Sequence, residues 1–243
     1  MLPKFMADIL HAEAWLKLGV PLKFSVSRLR SASSKCRSVE SYVDLTLNGL
    51  LTLPFLYANI QPSQVRDEIV PLLKMLEKSR PRYLLEIGTA RGGTLFLFTK
   101  VASPNATVIS VDLPGGEFGS GYSVTKIGYY KSFATRNEKI HLLREDSHLP
   151  RTLNMVKNLL DGHGLDFLFI DGDHRYLGVK SDFEMYSPLV KSGGLIALHD
   201  ICKDLVQSCK VNDYWNEIKD RYDSREIVKD PDQGWAGIGV IFT

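Results

Sequence analysis

The 243-residue sequence predicts a doubly wound α/β domain on a mostly parallel sheet, and three observations predict it. Short apolar runs of strand length recur between longer, helix-like segments. Each run ends in a polar or glycine residue. The last two runs are joined by a turn-rich connection. Alternation of strand and helix implies parallel strands with crossover helices, whereas a short connection returns a strand antiparallel.

Residues 1–60 show helical patches without that alternation. Met6, Ile9, Leu10, Trp15, Leu16 and Leu18 are only loosely amphipathic, so this stretch reads as an N-terminal helical arm or cap. It is also the basic part: residues 1–39 carry seven Lys or Arg against Asp8 and Glu13. A docking role follows as an expectation, either for homo-oligomer formation or for an anionic acceptor surface.

The regular pattern occupies residues 61–243. Val65, Ile69, Leu72, Leu73 and Leu76 repeat at helical spacing up to Pro81, and Tyr83–Ile87 then reads as a buried strand ending in Gly88. Thr107–Val111, Lys139–Leu143, Asp166–Ile170 and Leu195–Leu198 read as four more strands. A helix-like Asp213–Arg221 precedes Glu226–Val228 and Gly237–Phe242. Asp230-Pro231-Asp232-Gln233-Gly234 between these two predicts a C-terminal antiparallel hairpin.

Composition bounds the function. A hydrophobic content of 44% supplies a core for such a domain, and a net charge of +2 lacks the strong positive field of a nucleic-acid binder. Cys36, Cys202 and Cys209 form no CxxC pair, which argues against a disulfide framework and for a reducing, cytoplasmic setting. No apolar run reaches the length of about 18 residues that spans a bilayer.

In an open parallel sheet, ligands sit beyond the carboxyl ends of the strands, where strand order reverses. Those ends carry Glu86 and Gly88, Asp112, Asp146 and Ser147, Asp171, and His199 and Asp200. The segment from Leu84 to Thr94 is a strand, a turn containing Gly88, Gly92 and Gly93, and a helix start. Glycine lets backbone approach a ligand closely, and free amides at a helix start favour anionic or polar groups. Asp112 lies twenty-four residues after Gly88, where a carboxylate can accept from both ribose hydroxyls. Three residues separate Gly88 from Gly92, so the GxGxxG fingerprint is absent, as is a GxxxxGK[ST] loop. This argues against the rival reading of a nucleotide-dependent oxidoreductase. A non-catalytic cofactor-binding subunit is the other rival.

Glu86-x-Gly88-x-x-x-Gly92-Gly93, Asp112 and Glu145-Asp146-Ser147 resemble the cofactor motifs of class I S-adenosylmethionine-dependent methyltransferases. The segments Phe169-Ile-Asp-Gly-Asp-His-Arg-Tyr and Gly193-Gly194-Leu-Ile-Ala-Leu-His199-Asp200 are similar to the branch holding cephalosporin hydroxylase-like proteins and macrolide-sugar O-methyltransferases. The resemblance implies a Rossmann-like methyltransferase fold and places S-adenosylmethionine on Glu86, Gly88, Thr89, Ala90, Gly92, Asp112, Asp146 and Ser147. Asp112 takes the ribose, Asp146 the adenine, and Glu86 organises the turn and the methionine amino group.

Carboxylates at the ends of adjacent strands can share a metal ion, which eases deprotonation of a bound hydroxyl. The resemblance implies magnesium at Asp171 and Asp200. His199 departs from it, standing where those families have a carboxylate; imidazole suits manganese or another transition metal better. His174, three residues after Asp171, matches the base of some sugar O-methyltransferases, and its ordinary pKa suits that work. The expected acceptor is a small-molecule hydroxyl, such as a sugar or glycan. His141, His148 and His163 read as structural or solvated. The glycine- and aromatic-rich region Pro114–Arg136 reads as a lid or acceptor wall, Trp235 as a further acceptor contact, and Tyr214 and Trp215 as core.

Overall fold

A computed structural model describes residues 22–48, 59–115, 121–203 and 209–243. The apolar patch from Met6 to Leu18, and Gly116, Phe118 and Gly119 of the expected lid, lie outside the described residues.

Among the described residues, seven strands form one sheet: β1 (Tyr83–Ile87), β2 (Thr107–Val111), β3 (Lys139–Leu143), β4 (Leu165–Ile170), β5 (Val190–His199), β6 (Asp223–Ile227) and β7 (Ile238–Phe242). Their order is β3-β2-β1-β4-β5-β7-β6. β1 to β5 pair in parallel, and β7 runs antiparallel between β5 and β6. The order reverses between β1 and β4, so the ligand crevice belongs above the ends of those two strands. This is the Rossmann-like methyltransferase arrangement with its C-terminal antiparallel pair.

Alternation along the strands decides which helices cover which face. Phe167 and Phe169 of β4 join one core with Leu84, Phe96, Phe98 and Val240, while Leu168 and Ile170 join the other with Val156, Phe183 and Trp215. The first face carries α3 (Arg66–Ser79), α4 (Gly93–Val101) and α5 (Ile127–Lys131). The second carries α6 (Pro150–Leu160), α7 (Tyr176–Tyr186) and α8 (Val211–Ile218). A helix over residues 22–33, α1, and α2 (Val39–Leu47) add Leu29, Val39 and Val43 to the first core.

Local chemistry sets the helix ends. Asp67 and Glu68 sit in the first turn of α3 and Lys78 in its last, matching the helix dipole. Pro150 opens α6, where its missing N–H costs nothing, and Asp161 closes it in the left-handed conformation. Among the described residues, no helix is long and apolar enough to cross a membrane.

β5 starts five residues before the expected Leu195. Its pairing with β4 jumps from Leu165 and Val190 to Phe167 and Leu195, leaving Gly193 (φ 76°) in a bulge. Glycine carries no strand signal, so the apolar run reads as a strand only from Leu195. The hydrogen bonds from Gly193 N to Thr243 O and from Thr243 N to Gly194 O tie the Gly193-Gly194 pair to the end of β7.

The β6–β7 connection is fastened from below. Glu68 of α3 is fully buried and accepts from Lys229 N, Gln233 Nε2 and Gly237 N. Trp235, held by that connection, is nevertheless 53% exposed. Tyr214 and Trp215 are core, as expected, and Trp215 lies against Gly239, where a Cβ would meet its ring at 2.7 Å.

A candidate cofactor site at the sheet switch point

The glycine turn is shaped by close approach. Gly88 has φ 90°, and a Cβ there would lie 1.9 Å from Asp171 O, so the end of β1 meets the end of β4 only with glycine. Gly92 (φ 79°) caps α4 without a side-chain hydrogen bond, and a Cβ there would lie 2.8 Å from the Tyr130 ring. The hydroxyl of Tyr130 donates to Ala90 O at 2.9 Å and steadies the turn from the side.

Glu86 works beneath this turn. It is 1% exposed; Thr89 Oγ1 donates to its Oε2 at 2.9 Å, and Oε1 has no hydrogen-bond partner among the described residues. Burial raises its pKa to about 8, against the pull of Thr94 and Thr89. Asp112 is tied to the same turn: Ala90 N donates to its Oδ2 at 2.7 Å. Burial raises Asp112 to about 6, opposed by the amides of Ala90 and Thr89.

A cavity of about 370 Å³ opens over these strand ends. Gly88, Ala90, Asp112, Asp146, Ser147 and Asp171 of the expected residues line it. Its size lies in the ordinary range for small-molecule sites. Glu86, Thr89 and Gly92 do not line it; they shape the turn. Asp146 Oδ1 accepts from His148 N at 2.9 Å in the loop after β3.

Beside the cavity, the ends of β4 and β5 converge. His199 and Asp200 are consecutive and would point to opposite sides of a regular strand. Asp200 has φ 63°, which turns its carboxylate back toward the His199 ring. His199 Nδ1 lies 3.1 Å from Asp171 Oδ1 and 3.3 Å from Asp200 Oδ1. His174 bridges the same two carboxylates, with Nε2 3.4 Å from Asp171 Oδ1 and Nδ1 3.5 Å from Asp200 Oδ2. Burial opposes charge on both imidazoles, but the two carboxylates outweigh it: His174 is raised, and His199 is raised well above its ordinary value. Burial likewise opposes ionisation of Asp171, yet His199 and His174 hold it below the usual carboxylate range.

Donor atoms of Asp171, His199 and Asp200 lie within 4.8 Å of one another. Ligands on neighbouring corners of an ion with bonds of about 2.1 Å are about 3 Å apart, so this set fits a divalent metal. His174, Asp200 and Cys209 form a second such group.

Sequence reasoning misses three residues. Gln64 Nε2 donates to Asp171 Oδ2 at 2.7 Å, from a turn preceding α3 with no motif of its own. Glu68 anchors the β6–β7 connection and reads as one acid among several at a helix start. His148, expected to be structural or solvated, lines the cavity and lies 3.3 Å from the fully buried Asp182 of α7. Its neighbours Asp146 and Ser147 are the signal that could have drawn attention to it.

Of the aromatic region after β2, Tyr122, Tyr129, Tyr130 and Phe133 are buried in the first core, while Gly115 and Gly121 line the cavity.

Fold and crevice together define a nucleotide-type binding domain: a doubly wound sheet, a glycine turn, and a second-strand carboxylate. A family model described as a methyltransferase domain matches residues 85–201. That stretch holds the glycine turn, Asp112, Asp146, Asp171, His199 and Asp200, and over it the match supports a class I S-adenosylmethionine-dependent methyltransferase domain.

Two solved structures share the fold. An O-methyltransferase from Bacillus cereus, in complex with S-adenosylhomocysteine, matches with a TM-score of 0.52 at 16% identity, over 71% of this chain and 79% of that one. TomG from Streptomyces achromogenes, an O-methyltransferase of tomaymycin synthesis in complex with S-adenosylmethionine, matches with 0.50 at 15% identity, over 89% and 96%. An uncharacterized protein of Acanthamoeba polyphaga mimivirus is 31% identical over 53% of this chain and 55% of its own length. One of Sinorhizobium fredii is 27% identical over 50% of this chain and 13% of its own length. The chain therefore matches about half or less of the length of these curated relatives.

Proposed function

We propose that this chain transfers the methyl group of S-adenosylmethionine to a hydroxyl of a small-molecule or sugar acceptor, assisted by a divalent metal ion. One observation carries the reading: Asp171 both lines the cofactor cavity and bonds to the imidazoles of His199 and His174, so acid–base groups abut the cofactor crevice. When bound, the sulfonium supplies an electrophilic methyl group, and the ion, held by Asp171, His199 and Asp200, acidifies the acceptor hydroxyl.

The chain's own residues do the rest. Gly88 and Ala90 admit the cofactor backbone-close, Asp112 accepts from its ribose, and Asp146 and Ser147 border its base. His174 takes the hydroxyl proton on a ring nitrogen, and Asp171 and Asp200 orient that ring and stabilise the imidazolium that forms. Positioning of acceptor against donor supplies much of the rate. The basic stretch of residues 1–39 serves as a docking arm, for a second copy or for an anionic acceptor surface; because Leu29 and Val39 belong to the core, neutralising its Lys and Arg side chains rather than removing it tests the two, by light scattering and by affinity for anionic liposomes.

The test is release of adenosylhomocysteine from a panel of hydroxylated acceptors, with and without chelation. Asp200→Asn should lose most turnover while keeping cofactor affinity, and His174→Ala should lower kcat by about 10²–10⁴-fold. Failure of the folded protein to bind S-adenosylmethionine would sink the assignment. The contact of His199 Nδ1 with both carboxylates also favours a metal-free His–Asp base, and full turnover after exhaustive chelation would select that reading.

A further inference from the structure

The donors at the ends of β4 and β5 are not all hard. Two groups of three share Asp200: Asp171 and His199 on one side, His174 and Cys209 on the other, with the ligand atoms of each group within 4.8 Å. Four side chains therefore converge on the Asp200 carboxylate: a second carboxylate, two imidazoles and a thiol.

Cys209 is held in place. Its Sγ lies 4.0 Å from Asp200 O, and the next residue's amide, Lys210 N, donates to His174 O at 2.7 Å. That hydrogen bond fastens the start of α8 to the loop after β4. The thiol thus shares its surroundings with His174 by backbone contact as well as by side-chain proximity. Cys202, by contrast, sits under Gly237 and takes no part in either group.

Magnesium binds oxygen and keeps several waters, whereas imidazole and thiolate favour zinc, cobalt and iron. We propose that this cluster is a thiolate-containing transition-metal site, with Cys209 as a ligand beside His174 and Asp200, taking zinc-like ions in preference to magnesium. The inference rests on the presence of a metal at these strand ends and changes its ligand set: His174 becomes a ligand in place of the base, and a missing sulfur band would return it to the base role. Binding exchanges the S–H bond of Cys209 for a metal–sulfur bond and releases one proton to solvent.

The test uses cobalt(II) as a spectroscopic probe of the full-length protein. Wild type should show both ligand-field bands and a near-ultraviolet sulfur-to-cobalt charge-transfer band. Cys209→Ser, which leaves Cys36 and Cys202 in place, should lose the charge-transfer band alone, with a thermal melt like wild type. Zinc affinity of that variant should fall by about a hundredfold, while its weak magnesium binding stays unchanged. Should Cys209→Ser fold poorly, Cys209→Ala repeats the measurement. Cobalt bound with ligand-field bands but no sulfur band in wild type overturns the role of Cys209 and leaves a metal site standing. No binding of cobalt, zinc, manganese or magnesium overturns the metal reading itself.

Discussion

Replacing Asp112 with asparagine should raise the stability of the ligand-free protein and weaken its grip on S-adenosylmethionine. Burial lifts the Asp112 carboxyl from 3.8 to about 6, so at neutral pH the protein holds an ionised group where burial disfavours charge. That displacement corresponds to about 3 kcal/mol at most, and because solvent reaches part of the side chain, about 1–2 kcal/mol is the realistic share. A carboxyl raised in the folded state contributes its stability below the unfolded value and loses it as pH rises through about 6. Asparagine does not titrate, and its Oδ1 still accepts from Ala90 N.

The gain of Asp112→Asn over wild type should therefore grow between pH 4 and pH 7. It should reach a Tm rise of about 2–8 °C at neutral pH, given about 2–4 °C per kcal/mol for a domain of this size. Loss of charged hydrogen bonds to the ribose should cost about 1.5–3 kcal/mol of cofactor binding, or about 10–150-fold in Kd. Calorimetry and thermal melts on the same preparations measure both. A variant that loses stability together with affinity, or keeps full affinity, refutes the assignment of Asp112 as a strained ribose acceptor.

Gly88→Ala should cost more than about 4 kcal/mol, since its Cβ would collide with Asp171 O at a left-handed φ; a denaturant melt within 1 kcal/mol of wild type, by about any probe, would contradict that packing. Asp182 raises His148 from 6.5 to about 8, so stability from this pair is full below 6.5 and lost as pH rises through about 8. Wild type should lose about 1–2 kcal/mol between pH 6 and pH 9 on this account, and His148→Gln should flatten that part of the profile in urea titrations. Trp235→Ala should raise KM for the acceptor by about tenfold, the scale of a lost aromatic contact, without changing cofactor Kd. Steady-state kinetics that show no change in KM would return Trp235 to an exposed residue with no acceptor contact.

The sequence by itself determines the sheet. The parallel strands are legible because the central ones, β1, β2 and β4, are buried on both faces and read as short apolar runs, as Leu84-Leu85 and Phe167-Leu168-Phe169 show, and the closing antiparallel pair is legible from its turn-rich connection. The ends of those strands are legible too. Gly88, Asp112, Asp146, Asp171, His199 and Asp200 stand where apolar runs stop, and a parallel sheet brings all such ends to one edge.

Tertiary structure decides everything that depends on contacts between distant residues. That Gln64 reaches Asp171 across 107 positions, that Glu68 fastens the loop bearing Trp235, and that Cys209 arrives beside His174 all follow from how α3 and α8 pack on the sheet. Tyr122, Tyr129 and Tyr130 read as a lid because aromatics near a site look alike in sequence; only tertiary packing puts their rings in the first core. The sharpest case is Asp200. Adjacent residues in a strand face opposite ways, and the backbone turn at φ 63° that sets its carboxylate beside His199 has no signature in a non-glycine residue.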